Sequence, residues 1–212
     1  MCNNVCVTRK YEQRKRAEQQ EDTRQRIVRA AVELHGQLGP ARTTVSAVAE
    51  RAGVQRNTFY RHFPDDRSLI HACSTLFDAE NPLPDPEPWA EIDDPDERVR
   101  AALEALYRYW DRNQQLISNV LRDAEADDLV RQVASDSWGV ALGRMCDVIL
   151  AGWPARARSK PLRAVSDLAI SFRTWQSLVH HSGLTSEAAA CMMASLVSTE
   201  ANREPEPRRK KR

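Results

Sequence analysis

Residues 43–69, TTVSAVAERAGVQRNTFYRHFPDDRSL, contain two short helical patterns separated by Gly53. Val48 and Ala52 recur at helical spacing in the first pattern, which predicts a helix with one apolar face. Thr44 stands before that helix, where its hydroxyl can accept a hydrogen bond from a first-turn amide. Gly53 tolerates a positive φ, so we expect the chain to turn sharply there into a second helix. The pattern therefore predicts a helix-turn-helix.

The second helix is predicted to run from about Gln55 to Phe63, with Phe59 facing the core. Glutamine and asparagine can pair bidentately with adenine edges and arginine with guanine edges, and the first turn of a recognition helix reaches the groove floor. The sequence thus favours docking on duplex DNA. The outer face of the helix is predicted to carry Gln55, Arg56, Asn57, Thr58, Tyr60 and Arg61.

The order of these residues resembles the DNA-binding domain of the TetR family of transcriptional regulators, over roughly residues 24–72. The matching strings are Thr-Thr-Val, Val-Ala-x-x-Ala-Gly-Val and Thr-Phe-Tyr-x-His-Phe-Pro, followed by Leu69. The resemblance implies an all-α homodimer with a three-helix DNA-binding head and a larger helical body that binds a ligand and dimerises. It also implies that Thr44 and Tyr60 contact DNA phosphates.

Two positions depart from the family pattern. The position of Asn57 is often glycine in the family, and that of Asp66 is usually a lysine that contacts phosphate at the start of the fourth helix. Arg67 can substitute for that lysine. Alternatively, Asp65 and Asp66 cap the fourth helix and meet its positive dipole end.

The division of the chain follows its charge. Residues 1–72 carry a net charge of +5 and residues 73–136 a net charge of −10, within a total of +1. Such polarity suits a protein that presents one end to phosphate. We expect a basic arm at 1–21, a DNA-binding domain at 22–72, an effector-binding and dimerisation domain at 73–200, and a disordered basic tail at 201–212.

The arm and the tail each leave two interpretations open. The arm can reach a minor groove, or it is a solvated extension of the first helix. The basic tail adds nonspecific, salt-sensitive DNA affinity, or it does nothing.

The fold class is predicted to be all-α, with about nine helices. Prolines at 82, 84, 86 and 88 indicate an extended connector at residues 81–96, after the fourth helix. Asn113 is expected to break the helix that follows this connector. The predicted helices lie at about 22–38, 44–52, 55–63, 65–80, 95–112, 114–126, 128–151, 160–181 and 185–199.

The predicted body carries candidate interface and ligand residues. Apolar stripes on the last two helices indicate the homodimer surface, although both stripes can instead face the subunit core. Large inward-facing groups form adaptable apolar cavities, yet the same groups would form any helical core. The candidate ligand residues are Phe77, Leu106, Trp110, Trp138, Met145, Phe172 and Trp175.

The resemblance implies a repressor that binds a pseudo-palindromic operator and is released when a small apolar effector tilts the helix at 65–80. A ligand-independent DNA-binding protein, or a dimer that acts through a protein partner, is the alternative.

No nucleophile motif or phosphate-binding glycine loop indicates an enzyme, and no metal or other cofactor is expected. The five scattered cysteines are not spaced as a zinc site. Without a run of about 18 apolar residues or a secretion signal, we expect a cytoplasmic protein that does not enter a membrane.

Overall fold

The computed structural model describes the backbone of residues 3–203 and the side chains of residues 11–203 except that of Arg156. Throughout this range the chain forms helices and turns and no strand, which confirms the all-α prediction. The helices are α1 Asn3–Leu38, α2 Val45–Arg51, α3 Arg56–His62, α4 Asp66–Glu80, α5 Glu87–Ala90, α6 Pro95–Asp123, α7 Asp128–Ala134, α8 Val140–Ala151, α9 Lys160–Ile170, α10 Phe172–Gln176 and α11 Ser186–Ala201.

The helix-turn-helix forms as predicted. The Thr44 hydroxyl accepts a hydrogen bond from the amide of Ala47 at 3.2 Å and caps α2. Gly53 has a φ of 65°, and the amide of Val54 donates to the carbonyl of Ala49 at 2.9 Å, which closes the turn into α3. A positive φ costs glycine little and other residues more, so Gly53 is what allows this sharp turn.

The first helix is longer than predicted. It begins at Asn3 rather than near Asp22 and continues unbroken to Leu38. Part of the predicted arm is therefore a helical extension, in which Arg14 pairs with Glu18 one turn later at 2.8 Å. Such pairs stabilise a helix by only a few tenths of a kcal/mol each, but no proline interrupts the segment.

The chain divides into two compact units, and α6 contributes to both. The first unit comprises the residues up to Pro82 together with Gln115–Ser137. The second comprises Leu83–Gln114 and the residues from Trp138 onward. The division predicted at residues 72 and 73 follows sequence order, whereas the observed first unit also contains α4, the end of α6 and α7.

The core of the first unit is built from small and aromatic apolar side chains. It joins α1, the helix-turn-helix and α4 through contacts among buried residues. Small residues such as Ala31 and Ala49 let these short helices approach closely, and the larger groups fill the remaining space. The buried members are Ile27, Val28, Ala30, Ala31, Leu34, Val48, Ala49, Ala52, Phe59, Phe63, Leu69 and Cys73.

Four further predicted helices have different bounds in the structure. The break expected at Asn113 is wrong, because α6 is continuous and the Asn113 side-chain amide donates to the Tyr109 carbonyl of the same helix at 3.0 Å. The helix predicted at 128–151 contains a π turn at residues 135–139 between α7 and α8. The helix predicted at 160–181 is wrong as a single element, since Ser171 adopts an extended conformation and caps α10.

The proline-rich connector is not extended throughout. A single helical turn, α5, places Trp89 in the interior of the second unit. The guanidinium of the buried Arg98 holds this segment by donating to the carbonyls of Ala90 at 3.0 Å and Ile92 at 2.7 Å. A buried guanidinium needs such acceptors, because an unpaired buried charge is costly.

The remaining predictions concern the cysteines, the C-terminal tail, membrane spans and metal ligands. Cys73 and Cys146 are buried and Cys191 is exposed, whereas the side chains of Cys2 and Cys6 and residues 204–212 of the predicted tail lie outside the described residues. Within residues 3–203, no helix combines the length and apolarity needed to cross a membrane. No group of three or more metal-ligating side chains occurs among the described residues.

Candidate nucleic-acid interface

Two aromatic side chains anchor the predicted recognition helix, α3, to the core. Phe59 and Phe63 are buried on one face of the helix, and their ring centroids lie 6.0 Å apart. The guanidinium of Arg24, on α1, lies 5.0 Å from the centroid of the Phe63 ring, a cation–π distance. These contacts fix which side of α3 faces the core.

The predicted DNA-contacting residues lie on the opposite side of this helix or at its start. Gln55, Arg56, Asn57 and Arg61 are exposed, and Thr58 is half-buried. Gln55 occupies the N-cap position, but its side chain makes no capping bond, so its amide is not engaged by the helix end. The arrangement offers amide and guanidinium groups of the kind that read base edges in a major groove.

The two predicted phosphate anchors lie on either side of these candidate base readers in sequence. Thr44 is exposed, and its oxygen accepts the Ala47 amide while the hydroxyl hydrogen stays available to a phosphate oxygen. The Tyr60 ring is 46% exposed and packs edge-on against Phe59 at 5.5 Å. Both residues can donate a hydrogen bond to the DNA backbone, which positions a protein on DNA without reading its sequence.

The start of α4 combines capping with a polar contact to α7. The Asp65 carboxylate accepts the Ser68 amide at 2.7 Å, so Asp65 is the N-cap, whereas Asp66 is exposed in the first turn. The guanidinium of Arg67 donates to the side-chain oxygen of Gln132 at 3.3 Å. The proposed substitute for the missing lysine is therefore already engaged, and a phosphate would have to compete with Gln132.

His62, at the end of α3, was not among the predicted site residues. Burial lowers its pKa, and the nearby guanidinium groups of Arg61 and Arg24 lower the pKa further, while Glu21 opposes them. These effects favour the neutral form of His62. Arg61 and Arg24 carry positive charge beside it.

The structure brings three of the seven predicted ligand residues together. Trp110 and Phe172 pack edge to face with ring centroids 5.6 Å apart, and Phe172 lies 5.2 Å from Trp175. The Trp175 ring nitrogen also donates to the Ser186 hydroxyl at 3.0 Å. These three residues, called the aromatic cluster below, are packed against one another. Their geometry agrees with the alternative interpretation of these residues as core.

The other predicted ligand residues are also buried. Leu106, Trp138 and Met145 lie in the second unit with the aromatic cluster. Phe77 lies in the first unit, on α4. The groove that the structure describes in the first unit lies between α1 and α4 and is lined by none of the seven predicted residues.

Comparison with known sequences confirms the predicted resemblance in the N-terminal part of the chain. Residues 27–73 match the family described as bacterial regulatory proteins, tetR family. An uncharacterised HTH-type transcriptional regulator of Mycobacterium tuberculosis is 44% identical over 54 residues, which cover 26% of this chain and 29% of that protein. The HTH-type transcriptional regulator TtgR of Pseudomonas putida is 39% identical over 59 residues, or 28% of each chain. The match thus spans less than a third of these relatives.

Comparison with solved structures extends the similarity to most of the fold. A putative TetR-family transcriptional regulator from Rhodococcus sp. has a TM-score of 0.61 at 17% identity, covering 86% of this chain and 100% of that one. The regulator FadR from Bacillus subtilis, solved in complex with stearoyl-CoA, has a TM-score of 0.60 at 19% identity, covering 83% and 98%. At such low identity these likenesses concern the fold alone.

Proposed function

We propose that this chain, whose residues 27–73 match the bacterial regulatory proteins of the tetR family, regulates transcription by binding duplex DNA through α3. The observation that carries the proposal is the two-sided character of that helix. Phe59 and Phe63 fix one side in the core, so the exposed side presents Gln55, Arg56 and Asn57 in its first turn. Thr44 and Tyr60 supply phosphate contacts that orient α3 in the groove.

The regulator acts as a homodimer in this proposal. On the described parts of α9 and α11, large apolar side chains remain exposed, including Leu168 at 56% and Leu196 at 50%. An exposed apolar patch marks an interaction surface more often than a free one. A two-fold symmetric dimer places two recognition helices about 34–36 Å apart on successive major-groove faces, which calls for a pseudo-palindromic site.

The dimer proposal predicts that Leu196→Glu yields a monomer, because two carboxylates would face an apolar surface across the two-fold axis. Sedimentation measures the mass directly. Val140→Glu is the matched control, since Val140 is 75% exposed and lies on α8. A Leu196→Glu variant that sediments as a dimer, or a wild-type protein that is monomeric at micromolar concentration, would refute this interface.

The second unit binds the effector in this proposal. Aromatic and thioether side chains adapt their packing to apolar guests, and the aromatic cluster brings three large rings together in this unit. A ligand that binds the DNA-incompetent form more tightly lowers operator occupancy by that difference in affinity. If apolar and amphipathic ligands change neither tryptophan emission nor DNA release, the chain is a ligand-independent DNA-binding protein.

Selection of bound duplexes from a random DNA pool tests the proposed function as a whole. A specific, dimeric regulator enriches a sequence with two inverted half-sites. Enrichment of no sequence, with binding that depends only on salt concentration, would leave nonspecific electrostatic binding and reject the proposal.

A further inference from the structure

The C-terminal end of α1 is capped by side chains from the end of α6. The last carbonyls of a helix have no partner within it and need donors from elsewhere. The Asn119 side-chain amide donates to the carbonyls of His35 at 3.3 Å and Gly36 at 2.8 Å. The Arg122 guanidinium donates to the carbonyl of Leu38 at 2.8 Å.

These donors form a network with Asp123. Arg122 donates to the side-chain oxygens of both Asn119, at 2.9 Å, and Asp123, at 2.8 Å. The other Asp123 oxygen accepts the backbone amide of Ala41 at 2.9 Å. Asn119 and Asp123 are 6% and 7% exposed, whereas the Arg122 side chain is 39% exposed, so two of the three members are shielded from water. Buried polar side chains whose hydrogen bonds are satisfied help to hold one arrangement. Asn119, Arg122 and Asp123 are called the polar joint below.

Gly39 lets the polar joint approach the backbone. Its φ is 95°, and a Cβ at this position would overlap the Arg122 guanidinium and the Asp123 carboxylate. Any other residue would have to displace these two side chains and adopt a strained backbone conformation. The turn after α1 is therefore shaped around the end of α6.

The same turn leads directly to a predicted phosphate anchor. The Thr43 hydroxyl donates to the Gly39 carbonyl at 2.8 Å, and the Thr43 amide donates to the Pro40 carbonyl at 3.1 Å. Thr44 follows at once as the N-cap of α2. The polar joint and the N-cap of α2 are thus linked through one short segment, in which the amides of Ala41, Arg42 and Thr43 are all hydrogen-bonded.

We propose that Asn119, Arg122 and Asp123 are positioning residues for DNA binding, which fix the turn at 39–42 and so hold Thr44 against a DNA phosphate. This inference rests on the proposed function, because it requires that Thr44 contact DNA. The joint acts on affinity rather than on sequence preference, since a phosphate contact is the same for every sequence.

The test is a double-mutant cycle on affinity for the selected DNA, with each protein measured well below its unfolding midpoint. Asn119→Ala is expected to weaken binding by about tenfold, because a displaced Thr44 loses its phosphate contact and disturbs the contacts beside it. Thr44→Val removes the hydroxyl and keeps the shape. In the Asn119→Ala background Thr44→Val is expected to have little further effect, which is the signature of coupled residues. Arg112→Ala, an exposed arginine on the same helix, should bind as the wild type does.

Two results would overturn the inference: an Asn119→Ala protein with wild-type affinity, or losses from Asn119→Ala and Thr44→Val that simply multiply. An equal loss from Arg112→Ala would also overturn it, because the effect would then be one of general charge or helix content. If Asn119→Ala does not fold, Asp123→Asn replaces it in the same cycle with the same expected coupling. A wild-type protein that selects no DNA sequence rejects the proposed function itself, whereas uncoupled variants of a DNA-binding wild type reject only the joint.

Discussion

The recognition helix α3 and the aromatic cluster differ in where their chemically distinctive side chains lie. On α3, Arg56 and Asn57 are exposed and contribute nothing to the core. In the aromatic cluster, Trp110 and Trp175 are buried and contact Phe172. If α3 binds DNA as proposed, different residues provide binding and stability in that helix.

This difference explains why one site is easier to recognise than the other. A polar side chain on an exposed helix face has no packing role, so the core does not account for the choice of residue there. A buried tryptophan serves the core whether or not a ligand ever touches it. Substitutions should therefore separate the two regions, with stability responding in the aromatic cluster and DNA affinity responding on α3.

The largest effect is expected from Trp175→Ala. Removing a fully buried aromatic side chain leaves a cavity and deletes the bond to Ser186, at a cost of about 3–5 kcal/mol in the free energy of unfolding. Urea unfolding measures this loss. Arg56→Ala is the control from the other region, and it should change stability by less than about 0.5 kcal/mol. Similar losses in the two variants would remove the contrast between the regions.

His35 should make the stability of the first unit depend on pH. Burial lowers its pKa to about 4, and the partial opposing effect of Asp123 does not restore the ordinary value of 6.5. The unfolded chain then binds the proton more readily, so stability is full above pH 6.5 and falls as the pH drops toward 4. The loss between pH 7 and pH 5 should be roughly 2 kcal/mol.

The pH effect is isolated by comparison with His35→Gln, because carboxylates titrate in the same range. The wild type should lose more stability than the variant between these two pH values. An equal loss in both proteins would show that His35 is hydrated in the folded state, and that the interior of the first unit is less dry than its packing indicates.

A smaller effect, in the opposite direction, is expected from Asp66→Lys. The substitution removes a negative charge that would face phosphate in the proposed complex and supplies the lysine of the resembled family, while Asp65 continues to cap α4. Affinity should rise about tenfold for all DNA sequences, and the dependence of log affinity on log salt should steepen by about one. Asp85→Lys, in the connector, is the control for net charge. Equal gains from both variants would show that α4 does not approach the DNA backbone.

The sequence was sufficient to predict the helix-turn-helix because its determinants are local. Thr44, Gly53 and the apolar positions around them act within one or two helical turns, and each local preference agrees with the fold. The helix bounds predicted around Asn113 and Ser171 were wrong because local sequence does not decide them. Asparagine can end a helix or bond back into it, and serine can occupy a helix interior or cap the next helix. Tertiary packing decides between these outcomes.

The polar joint could not be predicted because its partners are far apart in sequence. Asn119 and Gly36 are separated by 83 positions, and the acceptors are backbone carbonyls that leave no trace in residue identity. Glycine followed by proline, as at Gly39-Pro40, is typical of a helix end and does not show what packs against it. The positive φ of Gly39 and the side chains packed against it required coordinates.

The most direct measurement of the central claim is a parallel DNA selection with the wild type, Arg56→Ala and Asn57→Ala. If the exposed first turn of α3 reads bases, each variant should lose preference at its own base position, symmetrically in both half-sites, with a discrimination loss of about 1–3 kcal/mol. The flanking positions should stay unchanged. Variants that enrich the same sequence as the wild type with unaltered preference would contradict the account, because α3 would then not be the reader.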